Sequence, residues 1–270
     1  MSEQQPDMIR KSTEPHELAV SARKVFKSYP TPEGELPILV GLDLEVRQGE
    51  IVAITGESGA GKSTLLHLLG GLDRPTSGEI IVDGVDLNAC TNGDLARFRN
   101  RQIGFVFQFH HLMPDFTALE NVMVPKLMAG AKFEEARKTA MELLAAVGLK
   151  GRLQHRTNEL SGGEQQRVAV ARALANAPSV VLADEPSGNL DYRHSHQLHD
   201  LMWELARQRG ATFVIVTHDR ALARRADREI RLENGLAREL SETAVASYFK
   251  EAGFPDNSPS SPMRSKDAGK

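Results

Sequence analysis

Cysteine is almost absent. Cys90 is the only one in 270 residues, so no disulfide can close within the chain, and a reducing compartment suits it. Excess charge of one sign is missing too. Lys+Arg 33 against Asp+Glu 36 leaves a formal charge of −3, so no global basic field points to nucleic acid as a partner. No run reaches the ~18 consecutive apolar residues of a membrane span. Met1 to Glu17 is polar and mixed in charge, without the apolar stretch of a signal peptide. Work at a membrane is therefore expected to go through a partner. No internal repeat occurs. Trp203 is the only tryptophan, and it shares an apolar helical stripe with Leu198, Leu201 and Leu205, so packing is its expected role. The length allows one large α/β core, alone or with a helical lobe.

What is present is a phosphate cradle. Gly56-Glu57-Ser58-Gly59-Ala60-Gly61-Lys62-Ser63-Thr64 follows the apolar run Ile51 to Ile54 and precedes the helix-like Leu65 to Leu69. Strand, glycine-rich turn and helix form the context in which G-x-x-x-x-G-K-[ST] binds nucleotide phosphates. The glycines let successive N–H groups turn inward at an anion. Lys62 adds a point charge for the β- and γ-phosphates, Ser63 offers a hydroxyl to Mg²⁺, and the helix N-terminus adds to the field.

Along the chain, Met1 to Glu17 reads as a loose tail. Strands are expected over Leu18 to Ser28, with Tyr29 ending the first before a turn-rich 30–34, and over Ile38 to Val46, together an antiparallel hairpin. Gly78 to Val82 and Ile103 to Phe107 read as strands, the latter ending at Gln108, with a helix over Asn92 to Arg101 between them. From Phe109 the character turns helical: Thr117 and Glu120 fit a capping box, and Phe133 to Val147 has helical periodicity. A helix is expected from Gln165 to Asn176. Val180 to Ala183 is a buried-type strand, a helix follows Asp191, and Thr212 to Val216 is a strand ending at Thr217-His218. A hairpin turns at Asn234-Gly235. Beyond Ser241 the pattern allows one short helix before a Ser/Pro-rich tail.

Asp184-Glu185 lies at the carboxyl end of a buried-type strand, where ligands sit in open α/β sheets. Two adjacent acids there are costly unless they meet a cation. Asp184 suits Mg²⁺, directly or through water, and Glu185 is placed to polarise an attacking water. Ser161-Gly162-Gly163 is a second helix-opening nest of N–H groups.

At this point the chain resembles the ATP-binding-cassette ATPases. Leu160-Ser161-Gly162-Gly163-Glu164-Gln165 matches that family's signature, and Gly56 to Thr64, Gln108, Asp184-Glu185, Asn189-Leu190-Asp191 and His218 follow in its order and spacing. Ser187 stands where many members have Thr. The resemblance covers roughly Leu18 to Leu240. It implies an α/β P-loop NTPase core with an antiparallel β subdomain and an α-helical signature subdomain. The expected division is a flexible tail over 1–17, an ATPase domain over 18–240 with its helical part at about 109–176, and a short helix and tail over 241–270.

The resemblance also implies roles. ATP and Mg²⁺ are the expected ligands. Tyr29 would stack on adenine; Gly56, Glu57, Ser58, Gly59, Ala60, Gly61, Lys62, Ser63 and Thr64 would hold the phosphates; Ser63, Gln108 and Asp184 would serve the metal. Gln108 would also sense the attacking water, Glu185 would be the general base, and His218 would contact the γ-phosphate. Ser161, Gly162 and Gly163 would serve the nucleotide held by the other subunit of an ATP-dependent homodimer, with Asp191 at the same interface. Each nest would then complete its partner's site.

A soluble cassette ATPase would be expected to show two cassettes or a long coiled coil, and neither is present, so a transporter subunit is the expected role. Phe107 to Val122 resembles the ATP-binding subunits of lipoprotein-releasing systems of Gram-negative bacteria, as do Leu72 to Gly78 and Asp184 to Asp191. A macrolide-exporter-type or cell-division-type cassette is the alternative. Residues 109–125 are expected to dock an integral membrane permease subunit, placing the chain peripherally at the cytoplasmic face of the inner membrane. His110 and His111 are expected to face a partner. His194, His196 and His199 are expected on a solvated helix face, since they do not converge on a metal. The arginines from Arg220 to Arg231 are diluted by acids and read as charged surface.

Overall fold

The computed structural model describes residues 17–240. The tail expected over 1–17, apart from Glu17, and the helix and tail expected over 241–270 lie outside the described residues. Two sheets organise the rest. Strands β1 (Leu18–Thr31), β2 (Gly34–Arg47), β4 (Ser77–Val82) and β5 (Val85–Asp86) form an antiparallel sheet in the order β2-β1-β4-β5. The second sheet contains β3 (Ile51–Thr55), β6 (Ile103–Phe107), β7 (Val180–Asp184), β8 (Thr212–Val216), β9 (Arg228–Glu233) and β10 (Leu236–Glu239), in the order β10-β9-β3-β8-β7-β6. All its pairs are parallel except β9 with β10, which Asn234 (φ 50) and Gly235 (φ 76) join in a two-residue turn.

Alternation in the parallel strands feeds two cores at once. Ile51, Val181, Ala183, Phe213 and Ile215 face a core shared with α3 (Ala118–Met128), α4 (Phe133–Ala146), α5 (Gly162–Ala173) and α6 (Tyr192–Arg209). Val52, Ile54, Val180, Leu182, Val214 and Val216 face the other, with α1 (Lys62–Leu69), α2 (Asn92–Gln102) and the antiparallel sheet. That explains why these strands are apolar without a break: both faces are covered. A short α7 (Arg220–Ala223) follows β8. Because β3, β6, β7 and β8 run parallel, their carboxyl ends share one edge. The residues after them, Gly56, Gln108, Glu185 and Thr217-His218, are thereby brought to that edge.

Several boundaries differ from the sequence reading. β1 continues through Tyr29 and Pro30 to Thr31, which pairs with Gly34. Its pairing with β4 stops at Phe26, so Pro30 lies where no second neighbour needs its missing N–H. The helix expected from Gln165 instead begins at Gly162 and ends at Ala173. Ser161 and Glu164 close a capping box, which makes the two glycines the first turn rather than a loop before it. The expected box at Thr117 and Glu120 is present.

Two placements are corrected outright. His199 does not lie on a solvated face: it is 1% exposed, between α6 and the turn after β7, and its Nε2 is 2.8 Å from the Ser187 hydroxyl. Among the described residues its Nδ1 has no hydrogen-bond partner. The expected charged surface from Arg220 to Arg231 also fails at Arg228, which is half-buried and pairs with Glu50 and Glu239.

Candidate nucleotide site

β3 delivers the chain to Gly56, where φ is 150°, and a Cβ there would lie 2.3 Å from the Leu232 carbonyl oxygen. At Gly61 φ is 97°, and a Cβ would lie 2.8 Å from Ile38 Cγ2. Glycine is thus required at both ends of the loop by conformation and by close approach. Gly61 is also the N-cap of α1, with no side-chain cap bond, so first-turn N–H groups can turn to an anion. The Lys62 ammonium donates to the carbonyls of Gly56 (2.9 Å) and Glu57 (2.8 Å), arching over the loop.

The acids meet this loop from β7. The Ser63 hydroxyl hydrogen-bonds Asp184, whose carboxyl is pushed up chiefly by burial and further by the neighbouring Glu185 charge. A carboxylate in that state gains from a cation. A hydroxyl, a carboxylate and an amide oxygen are hard donors of the kind that Mg²⁺ takes. Glu185 has φ 44°, a left-handed conformation uncommon for residues other than glycine. Its N–H donates to the Val216 carbonyl (2.9 Å). Oε1 is 2.8 Å from His218 Nδ1, and Oε2 accepts from the His218 N–H (3.2 Å). Sequence reasoning names both residues but does not join them.

Gln108 Nε2 donates to Asn189 Oδ1 (3.2 Å), and Asn189 Nδ2 donates back to the Gln108 carbonyl (3.0 Å). The amide lies against Gly188, where a Cβ would come within 2.8 Å of Gln108 Nε2. Tyr29 reaches α1 through a hydrogen bond between its hydroxyl and Thr64, and burial, then Asp73, raises its phenol pKa. Asp184, Glu185 and His218 thus meet the P-loop along one edge, and Gln108 joins them through Gly188, whose N–H donates to the Glu185 carbonyl (3.0 Å).

Ser161, Gly163 and Asp191 form a separate group. Ser161 caps α5 through Glu164. Gly163 lies against the His194 ring, and Asp191 caps α6 while bonding His194 Nδ1 at 2.6 Å. Those hydrogen bonds from His194 hold the Asp191 carboxyl below its usual range. α5 packs on α3, α4, α6 and β6, whereas α1 packs on β4, β7 and β8.

The stretch after Gln108 is held by residues the sequence reading did not single out. Fully buried Gln166 donates to the Phe107 carbonyl and bonds the His110 ring. Arg172 donates to the carbonyls of His111 (2.6 Å) and His110 (2.8 Å). Buried Asn121 bonds both the N–H and the carbonyl of Met113. Leu112 is half-buried and packs against the helical core. Phe109 (66% exposed), Met113 and Phe116 remain outward.

Burial pulls the His199 imidazole down to about 4 from 6.5. Between those values the unfolded chain binds a proton that the folded chain refuses, so stability falls as pH drops through the window. The expected loss is about 2 kcal/mol between about pH 7 and about pH 5. Urea unfolding at both pH values checks this. His199→Gln should show a flatter profile, and an unchanged pH dependence would assign the loss to other groups.

A family model described as ABC transporter matches residues 39–188. A protein named "Lipoprotein-releasing system ATP-binding protein LolD" from Xanthomonas campestris pv. campestris is 54% identical over 226 residues, covering 84% of this chain and 95% of the relative. One of the same name from Bacteroides fragilis is 56% identical over 202 residues, covering 75% and 94%. A solved ATP-binding cassette, a dimeric post-hydrolysis state bound to ADP and Pi, aligns with TM-score 0.76 at 42% identity, covering 82% of this chain and 97% of that one.

Proposed function

This chain belongs to the ABC transporter family, and from that premise we propose that it is the ATP-hydrolysing subunit of a lipoprotein-releasing system. The 54% identity over 226 residues to a relative of that name carries the cargo. The line Ser63–Asp184–Glu185–His218 supports the chemistry. In this reading residues 18–240 are the cassette and about 109–176 its helical part.

ATP is the substrate, and water is the nucleophile. Lys62 exchanges its loop carbonyls for phosphate oxygens. Ser63, Asp184 and Gln108 would hold Mg²⁺, which would supply positive charge to those oxygens. Glu185 accepts the proton of the attacking water, and His218 keeps the carboxylate aimed while reaching toward the γ-phosphate. Ser161, Gly162, Gly163 and Asp191 act on the nucleotide of a second copy in an ATP-dependent homodimer. Acyl-chain burial is worth ~0.8 kcal/mol per CH₂, so release of a multiply acylated protein from a bilayer needs an energy source.

Reconstitution with the membrane subunits in proteoliposomes tests the cargo. ATP should release a triacylated lipoprotein to a soluble acceptor. Export of small amphiphiles alone would favour the macrolide-exporter-type reading, and release undiminished by Glu185→Gln would remove the ATPase as its driver.

Among the described residues no helix is long and apolar enough to cross a membrane, and we place the chain at the inner membrane's cytoplasmic face through a permease docked near 109–125. Phe109→Asp and Phe116→Asp should weaken co-purification with that permease by roughly 30-fold, as expected for aromatic anchors. Basal ATPase activity of the isolated chain should be unchanged. Normal co-purification of both variants would move the docking site elsewhere.

A further inference from the structure

Tyr29 sits in a more elaborate setting than a strand end requires. Lys27, two residues earlier on β1, is only 9% exposed. Its ammonium donates to Asp73 Oδ1 (2.8 Å) and to the Arg74 carbonyl (2.8 Å), and lies 4.6 Å from the centroid of the Tyr29 ring. The Tyr29 hydroxyl donates to the other Asp73 oxygen, Oδ2, at 2.8 Å. One aspartate thus clamps both the cation and the phenol. Asp73 is itself fixed by the Arg74 N–H, 2.7 Å from Oδ1. Tyr29 remains 36% exposed, and with an ammonium against one face the opposite face is the one it can offer.

A buried ammonium needs only its carboxylate and carbonyl partners for solvation. Its position over an aromatic ring is an additional arrangement, and cation–π attraction fixes the ring against it. Thr64, in the first turn of α1, acts on the Tyr29 hydroxyl from the other side, so the ring lies beside the phosphate loop.

We propose that Lys27 and Asp73 are positioning residues that make Tyr29 a one-sided platform for a purine base: Asp73 clamps the phenol oxygen, Lys27 covers the back face, and the base stacks on the open face. This rests on the proposed stacking of Tyr29 on adenine. A ring already held in place loses less freedom when a base lands on it, so the gain appears as nucleotide affinity.

The test uses full-length protein carrying Glu185→Gln, so that bound ATP is not consumed, and compares Kd for Mg·ATP with Kd for tripolyphosphate, which has no base. Tyr29→Ala should weaken ATP and leave tripolyphosphate unchanged. Lys27→Met and Asp73→Asn should each weaken ATP about fivefold and spare tripolyphosphate. Asp73→Asn should exceed Tyr29→Phe, because it also strips the Lys27 ammonium of its carboxylate, and the two combined should cost less than their sum, because both act through the Tyr29–Asp73 contact.

If Tyr29→Ala leaves ATP affinity intact, the stacking reading fails. If Tyr29→Ala weakens ATP while Lys27→Met and Asp73→Asn do not, stacking stands and the positioning role is overturned. Equal weakening of ATP and tripolyphosphate by Lys27→Met would assign its effect to the phosphate loop or to folding, which also overturns the proposal.

Discussion

Glu185→Gln is expected to bind ATP normally, hydrolyse it ~10²–10⁴-fold more slowly, and accumulate as an ATP-bound dimer. Glutamine preserves the volume of the side chain, and its amide oxygen can still accept from the His218 N–H, which the Glu185 carboxylate now does at 3.2 Å. The main-chain bond to Val216 is untouched by the substitution, so the loop should keep its shape. What disappears is the only function an amide cannot supply, proton acceptance from water. Single-turnover hydrolysis and gel filtration with and without ATP measure the two halves of this expectation. Near-normal turnover would remove Glu185 as the base.

A larger effect is expected when two inactive subunits are mixed. Lys62→Ala should abolish nucleotide binding, because it removes the ammonium that arches over the loop at Gly56 and Glu57. Gly163→Asp should inactivate differently. A Cβ at that position meets His194 Cδ2 at 3.6 Å, an ordinary contact, and an acid in a first helical turn favours the helix. The fold should survive while the carboxylate repels phosphate. Each homodimer then carries a defect in both sites. In a two-fold heterodimer one site holds both defects and the other none, so an equal mixture should regain about one quarter of wild-type activity. Mixed dimers that form and remain inactive would overturn sharing of sites between subunits.

Much of this arrangement is legible before any coordinates. The P-loop carries its own context, and fully apolar strands such as Val180 to Ala183 announce burial on both faces. Capping residues mark helix starts at Thr117 and Asp191. Other features are illegible for a physical reason. Lys27 and Asp73 are 46 residues apart, and Gln108 and Asn189 are 81 apart; no local pattern encodes such pairs. Leu112 lies in a stretch without helix or strand, so no periodicity reports its burial.

His199 is a different case. Met202, Trp203 and Ala206, at helical spacing from it, are all buried, so the same stripe that places Trp203 in the core also contains this histidine. Residue type outweighed position there. At α5 the helix starts three residues before Gln165, because the Ser161–Glu164 box caps it ahead of the two glycines.

The strands that feed both cores have a consequence for exchange with solvent deuterium. Amides of β3, β7 and β8 are hydrogen-bonded between two apolar layers, so they open only with the whole molecule and should be the last to exchange. The P-loop, Glu185 and His218 hang from the ends of these strands. Ser161 and Asp191 instead cap α5 and α6, which belong to one layer alone. The part of each site that a chain supplies to itself is thus mounted on its slowest-exchanging frame. The part it would lend to a partner sits at helix starts on one layer, where amides should exchange sooner.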